Sequence, residues 1–317
     1  MTTAAPPLIV IAGATATGKT GLAIRLAEWI AAQGRPAEII SADSRQVFRG
    51  LDIGTAKVSA SERARVQHHG IDLVDPDQPF SVADFVRHAR TALAGIAERD
   101  GVAILAGGTG LYLRAVARGL DADALPHDSE VRERLEAALA TDGLDSLVDR
   151  LRQLAPTRAA QIDLRNPRRV VRALEIAELQ GDAGVPEPLG YDGPVAWLGL
   201  TLEAEVHERW IAERARAQFD AGLIEEARTL RAQFDPSLPA FSAIGYREAW
   251  AVLDGALTRD AAIELDAKRN VAFAKRQRTW FRSEPGIRWI DPTTNAPDDS
   301  AHAALRQLLV DSQLSGA

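Results

Sequence analysis

The chain has 317 residues, a net charge of −7 and no cysteine. This length suits one large or two ordinary domains, and a hydrophobic content of 46% is typical of a globular protein. The absence of cysteine excludes disulfides and thiolate zinc sites, and no apolar run approaches the roughly 20 residues that cross a bilayer. Because residues 1–7 also lack the build of a signal peptide, we expect a cytoplasmic protein without membrane contacts.

A phosphate-binding loop is indicated near the start of the sequence. It follows the apolar run 8–12, precedes a predicted helix over 20–32, and fits the pattern G-x-x-x-x-G-K-[ST]. Backbone N–H groups of such a loop close on an anion, and the helix dipole adds positive potential. Lys19 supplies a mobile cation, and the Thr20 hydroxyl can face Mg²⁺. The pattern predicts a site for a phosphate or pyrophosphate but does not identify the ligand that carries it. The residues predicted to form this site are Gly13, Ala14, Thr15, Ala16, Thr17, Gly18, Lys19 and Thr20.

Strand and helix patterns alternate through the first 120 residues. Strands are predicted at 8–12, 37–42 and 102–106, with a helix that begins at Ser81, where Asp84 completes a capping box. This alternation predicts an α/β fold, a parallel sheet like that of P-loop NTPases with helices on both faces. Ligands of such sheets lie beyond the carboxyl ends of the strands, so the phosphate loop, 43–46 and 107–110 should converge.

The pattern changes between residues 121 and 194, where strand signals give way to helical repeats and a turn-rich loop at 184–194. We therefore divide the chain into the first part of the core (1–120), an all-helical insertion (121–194) and the continued core (195–317). The last part is predicted to contain a strand at 195–200 and another at 287–290. Its helices are predicted at 203–219, 222–233, 244–254 and 259–283, with a further helix at the end of the chain.

Asp43 follows the second predicted strand and has three interpretations. It can cap a turn, hold Mg²⁺ through water, or act as a general base, and the pattern alone does not choose between the last two. The third strand runs into Gly107-Gly108-Thr109 instead of an acidic residue, which weakens the assignment as an ATPase. We interpret the two glycines as bringing the backbone close to a ligand, or else as a plain tight turn.

Two basic clusters suggest local contact with a polyanion despite the negative net charge. Arg165, Arg168, Arg169 and Arg172 share one face of a predicted helix, either as a solvated face or as a phosphate-binding stripe. The second cluster, 268–282, has six basic and no acidic residues, with Trp280 and Phe281 near its end. These aromatic residues can stack on unpaired bases or anchor the core; Phe273, seven residues before Trp280, is predicted as a core anchor. In the absence of other signals, Arg214 is predicted to be an exposed arginine on a helix. His68-His69 are predicted to be structural residues that precede a strand.

Taken together, these blocks resemble the bacterial tRNA dimethylallyltransferase (tRNA isopentenyl transferase) family. The matching segments occur in the family's order and are 13–20, 41–46, 50–57, 68–69 with 72–76, 80–85, 107–112, 172–175, 243–248 and 274–282. The resemblance implies transfer of a dimethylallyl group from dimethylallyl diphosphate to N6 of adenosine 37 in the tRNA anticodon loop. It departs from the family's usual residues at Ala14, Phe48 and Asn166.

The resemblance also implies roles for individual residues. Residues 13–20 and Arg214 would hold the donor diphosphate with Mg²⁺ on Thr20, and Asp43, Lys19, Thr20 and Arg214 would be catalytic, Asp43 as the base. The implied tRNA contacts are Asp43, Ser44, Arg45, Gln46 and Thr109; Arg168, Arg169, Val170, Val171 and Arg172; Ser242, Ala243, Ile244, Gly245, Tyr246 and Arg247; and Lys275, Arg276, Gln277, Arg278, Thr279, Trp280, Phe281 and Arg282. A monomer suffices for this activity. Alternatives are prenylation of AMP or ADP, a P-loop kinase, and a non-catalytic nucleic-acid-binding protein.

Overall fold

A computed structural model describes residues 5–120, 125–182, 184, 187–294 and 297–314, with side chains described up to residue 308. The chain divides into two compact units, the first formed by 1–118 with 190–317 and the second by 119–189. The predicted return loop at 184–194 lies partly outside the described residues. Within the described residues, no helix is both long and apolar enough to span a membrane.

The first unit is built on a parallel sheet of six strands, which confirms the predicted α/β fold. The strands are β1 (Leu8–Gly13), β2 (Ala37–Ser41), β3 (His68–His69), β4 (Val102–Gly107), β5 (Val195–Leu200) and β6 (Arg288–Ile290). Their order across the sheet is β3-β2-β4-β1-β5-β6. Five of the six were predicted to within one residue. The prediction that His68-His69 precede a strand is wrong, since these two residues themselves form the edge strand β3 beside β2.

The helices of the first unit cover both faces of the sheet. They are α1 (Lys19–Ala32), α2 (Ala60–Arg65), α3 (Val82–Glu98), α4 (Gly110–Ala117), α8 (Ala204–Asp220), α9 (Leu223–Gln233), α10 (Tyr246–Leu253), α11 (Arg259–Arg282) and α12 (Pro297–Leu314), with a 3₁₀ turn at Pro239–Ser242. The second unit contains α5 (Ser129–Leu154), α6 (Pro156–Gln161) and α7 (Pro167–Gln180). The predicted capping box at Ser81 and Asp84 is confirmed at the start of α3.

The alternation of side chains along each strand explains the two layers of core. Ile9 and Ile11 of β1 are buried in a cluster with α1 and α12, while Leu8 and Val10 point to the opposite face of the sheet, which α3 and α4 cover. A separate cluster joins α8, α9 and α10 to the segment 47–53. This second cluster packs against the segment 47–53, which leads into the loop that carries Lys57.

The second unit has a core of its own, formed by apolar residues of α5 and α7 such as Leu135, Leu151 and Leu174. Gly143, with φ of 80°, breaks α5 into two helices. Asn166 caps α7 through its side-chain oxygen, which accepts from Arg169 N at 3.3 Å. Asparagine is among the residues preferred at the position before the first helical residue.

Candidate active site

The phosphate loop connects the end of β1 to the start of α1. Gly18, with φ of 84°, adopts the left-handed conformation that lets the loop turn into the helix. A cavity of about 360 Å³ lies over this loop. Among its lining residues are 15–20 of the loop, Asp43, Gln46, Gly107, Gly108 and Arg214. The predicted convergence of the three strand ends is thus confirmed, and α8 adds a side chain that the strand pattern does not include.

Two of the cations that line this cavity, Lys19 and Arg214, have oxygen partners in the phosphate loop. Lys19 Nζ donates to the Ala14 carbonyl at 2.6 Å, and the Arg214 guanidinium donates to the Thr15 hydroxyl. Burial, together with the positive charge of Arg214, lowers the pKa of Lys19 to about 8, although the Asp43 carboxylate acts in the opposite direction. Such desolvated cations gain strongly from an anionic ligand.

Arg214 does not lie on an exposed helix face, so the default interpretation of this residue is wrong. Burial lowers the pKa of its guanidinium, and the carboxylates of Asp43 and Asp266 partly counter this effect. Its Nε is buried and has no hydrogen-bond partner among the described residues. An unpaired N–H in such a place is costly unless a ligand accepts from it.

Asp43 lies directly after β2 and lines the same cavity as the two cations. Its Oδ1 accepts from Arg45 N at 2.8 Å, so the turn-cap interpretation holds alongside the functional ones. The neighbouring Ser44 N donates to the Thr109 hydroxyl at 3.0 Å, which joins the ends of β2 and β4. The bond from Arg45 N orients one carboxylate oxygen of Asp43.

The glycines at the end of β4 and just after it leave space for other atoms of the protein. This corrects part of the interpretation that they bring the backbone close to a ligand. A Cβ on Gly107 would lie 2.1 Å from the Ala42 carbonyl oxygen, and one on Gly108 would lie 2.4 Å from the Gln277 side chain. A Cβ on Gly110 would lie 2.2 Å from the Trp280 ring. Gly107 and Gly108 still line the cavity, but these close approaches are to Ala42 and α11.

The segments implied to contact tRNA differ in exposure. Ser242, Arg247, Lys275, Arg276, Thr279 and Arg282 are exposed, while Ala243, Ile244, Arg278 and Trp280 are half-buried. Gly245, Tyr246, Gln277 and Phe281 are buried, and so are Val170 and Val171 in the second unit. Because a buried side chain cannot reach an RNA without rearrangement, we assign these six no direct contact. The exposed and half-buried ones remain predictions.

The arginine stripe of α7 divides into two kinds of residue. Arg168 and Arg169 are exposed. Arg172 instead donates to Glu175, whose carboxylate is fully buried, at 2.8 Å and to the Pro126 carbonyl at 2.7 Å. Glu175 also accepts from Arg132 at 2.6 Å. Arg172 is therefore tied into the core of the second unit, unlike its two neighbours.

Several cavity residues were not assigned a role from the sequence. Lys57 lines the cavity with its side chain buried, and its Nζ donates to Asp72 Oδ1 at 2.5 Å and to the Phe48 carbonyl at 2.6 Å. Phe273, predicted as a core anchor, is 37% exposed and also lines the cavity, so that prediction is wrong. The segment 50–57 that holds Lys57 did appear among the blocks of the family resemblance, which was the available signal.

A carboxylate outside the cavity holds this segment in place. Glu226 of α9 accepts from Ile53 N at 2.7 Å, from Gly54 N at 3.1 Å and from the Tyr246 hydroxyl at 2.7 Å. Gln218 of α8 donates to the Ile53 carbonyl at 2.6 Å. The loop that carries Lys57 is thus fixed through its backbone. Neither Glu226 nor Gln218 was predicted to have this role.

Comparison with known proteins gives this geometry a family. The sequence model of the family described as IPP transferase matches residues 46–284. A tRNA dimethylallyltransferase of Anaeromyxobacter dehalogenans is 45% identical over 292 residues, which cover 90% of this chain and 95% of the relative. The chain belongs to the IPP transferase family.

Solved structures of the IPP transferase family share the fold. A full-length tRNA isopentenylpyrophosphate transferase from Bacillus halodurans superposes with a TM-score of 0.71 at 36% identity, covering 98% of this chain and 99% of that one. A eukaryotic dimethylallyltransferase acting on tRNA has a TM-score of 0.74 at 23% identity, with 95% of this chain and 78% of the other covered. At that identity the likeness concerns the fold alone. The match to the IPP transferase model begins after the phosphate loop and Asp43, so it is independent of the loop pattern.

Proposed function

We propose that this chain is a tRNA dimethylallyltransferase, which transfers the dimethylallyl group of dimethylallyl diphosphate to N6 of adenosine 37 in the anticodon loop. The observation that carries the proposal is that one cavity is lined by a phosphate loop, by two half-buried cations, Lys19 and Arg214, and by a carboxylate, Asp43. The first part suits an anionic leaving group, and the carboxylate suits an acceptor that must lose a proton. The names of the relatives support the same reaction.

The donor half of the site stabilises charge on the leaving diphosphate. When the allylic C–O bond breaks, its electron pair goes to the diphosphate oxygen, which gains negative charge. Lys19 and Arg214 donate hydrogen bonds to that charge, and the first turn of α1 adds N–H groups without helical partners. Groups that are oriented before the reaction lower the barrier most in a site with little water.

The acceptor half removes a proton from adenine. The N6 lone pair is delocalised into the ring, so N6 is a poor nucleophile, but its protons become strongly acidic as the new C–N bond forms. Asp43 then accepts one of them through the carboxylate that the Arg45 N–H orients. The adenine must leave its stack to reach the cavity, which costs at most a few kcal/mol in a single-stranded loop.

A magnesium ion fits the residues that are present. The described residues contain no group of three or more His, Cys, Asp or Glu side chains that could form a metal site. Thr20, exposed at the start of α1, offers a hydroxyl at the cavity, and Mg²⁺ commonly takes few protein ligands together with phosphate oxygens and water. Thr20 would hold the ion, which when bound would neutralise part of the diphosphate charge.

RNA contacts are proposed for the exposed basic residues of both units. Lys275, Arg276 and Arg282 lie on α11, and Arg168 and Arg169 lie on α7. A mononucleotide acceptor needs neither group, which favours tRNA over AMP or ADP. The cavity is lined by residues of one chain, so a monomer suffices, and the tRNA substrate implies the cytoplasm.

The test is transfer to a synthetic anticodon stem-loop. Purified protein with Mg²⁺ and dimethylallyl diphosphate is expected to add one C₅H₈ unit to a stem-loop with adenosine at position 37, detected by nucleoside mass spectrometry. A stem-loop with guanosine at that position is the matched control. Absence of transfer, or equal transfer to AMP in competition, would contradict the proposal.

A kinase would behave differently. β4 ends without an acidic residue at the cavity, so we expect no nucleotide turnover from ATP and Mg²⁺ without a prenyl donor. Phosphate release measured under those conditions separates the two activities.

A further inference from the structure

One side chain joins the phosphate loop to the helix with the basic block. Gln277 of α11 is 7% exposed, and its two amide atoms bond to two different parts of the cavity wall. Its Oε1 accepts from Thr15 N at 2.8 Å, and its Nε2 donates to the Gly108 carbonyl at 2.8 Å. Reversing the amide would lose both bonds, so the partners fix its orientation.

Thr15 is held from three directions, which makes the loop position sensitive to the helices around it. Besides the bond from its N–H to Gln277, its carbonyl accepts from His207 Nε2 at 2.8 Å, and its hydroxyl accepts from Arg214. His207 and Arg214 belong to α8, so the phosphate loop is hydrogen-bonded to both α8 and α11. A movement of either helix would therefore move the groups that meet the donor.

The two faces of α11 have different neighbours. Phe273 lines the cavity, Gln277 bonds to its wall, and Trp280 packs against Gly110, which places these three residues on one face at spacings of four and three. On the opposite face Lys275 and Arg282 are exposed. An anionic partner on the basic face thus acts on the same rigid helix that positions Thr15.

We propose that Gln277 is a positioning residue that couples RNA binding on α11 to donor binding in the phosphate loop. This inference depends on the proposed function, because it takes RNA as the partner of the basic face. RNA that holds α11 in its packed position also holds the phosphate loop through Gln277. The loop then loses less conformational entropy when the donor binds, so the donor binds more tightly. By linkage, the donor tightens RNA binding by the same factor.

The experiment measures the affinity of inorganic pyrophosphate with Mg²⁺ by calorimetry, with and without a saturating anticodon stem-loop. In the wild-type protein we expect the RNA to tighten pyrophosphate binding by about fivefold or more. In Gln277→Met, which keeps the size of the side chain but removes both bonds, this ratio should fall to near one. Gln233→Met, at an exposed position on α9, is the matched control and should keep the wild-type ratio.

The ratio separates coupling from a merely structural role. Local damage to the loop would weaken pyrophosphate binding by the same factor with and without RNA, and the ratio would not change. If the Gln277→Met variant fails to fold, as judged by its melting curve, Gln277→Asn replaces it, since the shorter amide cannot reach both partners.

The outcomes also distinguish this inference from the proposed function. A wild-type ratio near one, or a wild-type ratio retained in both Gln277 variants, overturns the coupling while transfer to the stem-loop still stands. Failure of the wild-type protein to bind pyrophosphate overturns the proposed function, and the coupling with it.

Discussion

At the scale of single residues, Asp43 is the group that we propose as the base of the reaction. Asp43→Asn keeps the shape and the hydrogen bond to Arg45 N but cannot accept a proton from adenine. We expect kcat for transfer to fall by about 10²–10⁴-fold, the usual contribution of a general base. Steady-state assays with the stem-loop measure this effect.

The control for this variant is Asp77→Asn, an equivalent change at an exposed position that lines neither the cavity nor a basic face. It should leave kcat unchanged. Affinity for the stem-loop, measured by filter binding, should be nearly the same in both variants. Normal turnover of Asp43→Asn would remove Asp43 from the role of base.

Lys19 gives donor binding a pH dependence. The ammonium form binds the diphosphate, and because burial lowers its pKa to about 8, this form is lost as the pH rises through that value. Donor affinity without RNA should therefore vary little near pH 7 and fall by up to tenfold per pH unit above about pH 8. Calorimetric titration of dimethylallyl diphosphate across this range is the measurement.

Lys19→Met provides the comparison for this pH effect. It should bind the donor weakly and show no fall in affinity between about pH 7 and pH 10, where the diphosphate is already ionised. A wild-type affinity that stays constant to pH 10 would mean that Lys19 keeps its proton or does not meet the donor.

Sequence predicted Lys19, Thr20 and Asp43 because each lies within a short pattern at the end of a strand. It did not predict Glu226, which lies 173 positions from Ile53, the residue whose N–H it binds. Nor did it predict that Lys57 would be buried among the Asp72 and Phe48 oxygens. Contacts of this kind depend on how distant segments pack, which no local spacing records.

At the scale of helices, the arginines of α7 should separate into two functions. Arg168→Ala should weaken stem-loop binding and reduce the slope of log affinity against log salt by about 0.7, with no change in melting temperature. Arg172→Ala should instead reduce the stability of the second unit by about 1–3 kcal/mol, because it removes a bond to the buried Glu175 carboxylate. Filter binding at several salt concentrations and thermal melting distinguish the two.

The comparison is internal to one helix, so each variant serves as the control for the other. Loss of stability in Arg168→Ala, or an unchanged melting curve together with weaker RNA binding in Arg172→Ala, would contradict the division of the stripe.

Helical periodicity predicted which face a residue occupies but not what that face meets. Phe273 and Trp280 were correctly placed on one face of α11, yet Phe273 borders the cavity instead of the core. The same limit applies to Tyr246, which was expected at an RNA surface. It is fully buried because its ring packs against Gly54 and its hydroxyl binds Glu226.

At the scale of the whole molecule, the two units have separate cores, and the described residues that line the cavity all belong to the first unit. Leu174→Ala in the core of the second unit should cost about 2–5 kcal/mol of unfolding free energy, yet leave pyrophosphate affinity unchanged. Differential scanning calorimetry and isothermal titration measure the two quantities.

Leu179→Ala, at a position 41% exposed on the same helix, is the control and should have little effect on either quantity. A parallel loss of pyrophosphate affinity in Leu174→Ala would mean that the donor site depends on the second unit.

The alternation of strands and helices predicted the parallel sheet and the meeting of its strand ends. It did not predict the order of the strands, since each pairing joins segments distant in sequence, such as β1 with both β4 and β5. The edge strand β3 has only two residues, too few to show an alternating pattern. Arg214 was placed on a helix by its pattern, but its turn toward the phosphate loop follows from the packing of α8 against α11.

The oxygen partners of Lys19 and Arg214 bear on turnover. In the proposed reaction the diphosphate by-product keeps its full charge and would be held by the same two cations that are proposed to stabilise the transition state, so its departure is expected to be slow. The Ala14 carbonyl and the Thr15 hydroxyl lie within reach of those cations and can replace the departing anion one contact at a time. A loop whose own oxygen atoms can take over the hydrogen bonds of the product can bind the product firmly during the reaction and still release it afterwards.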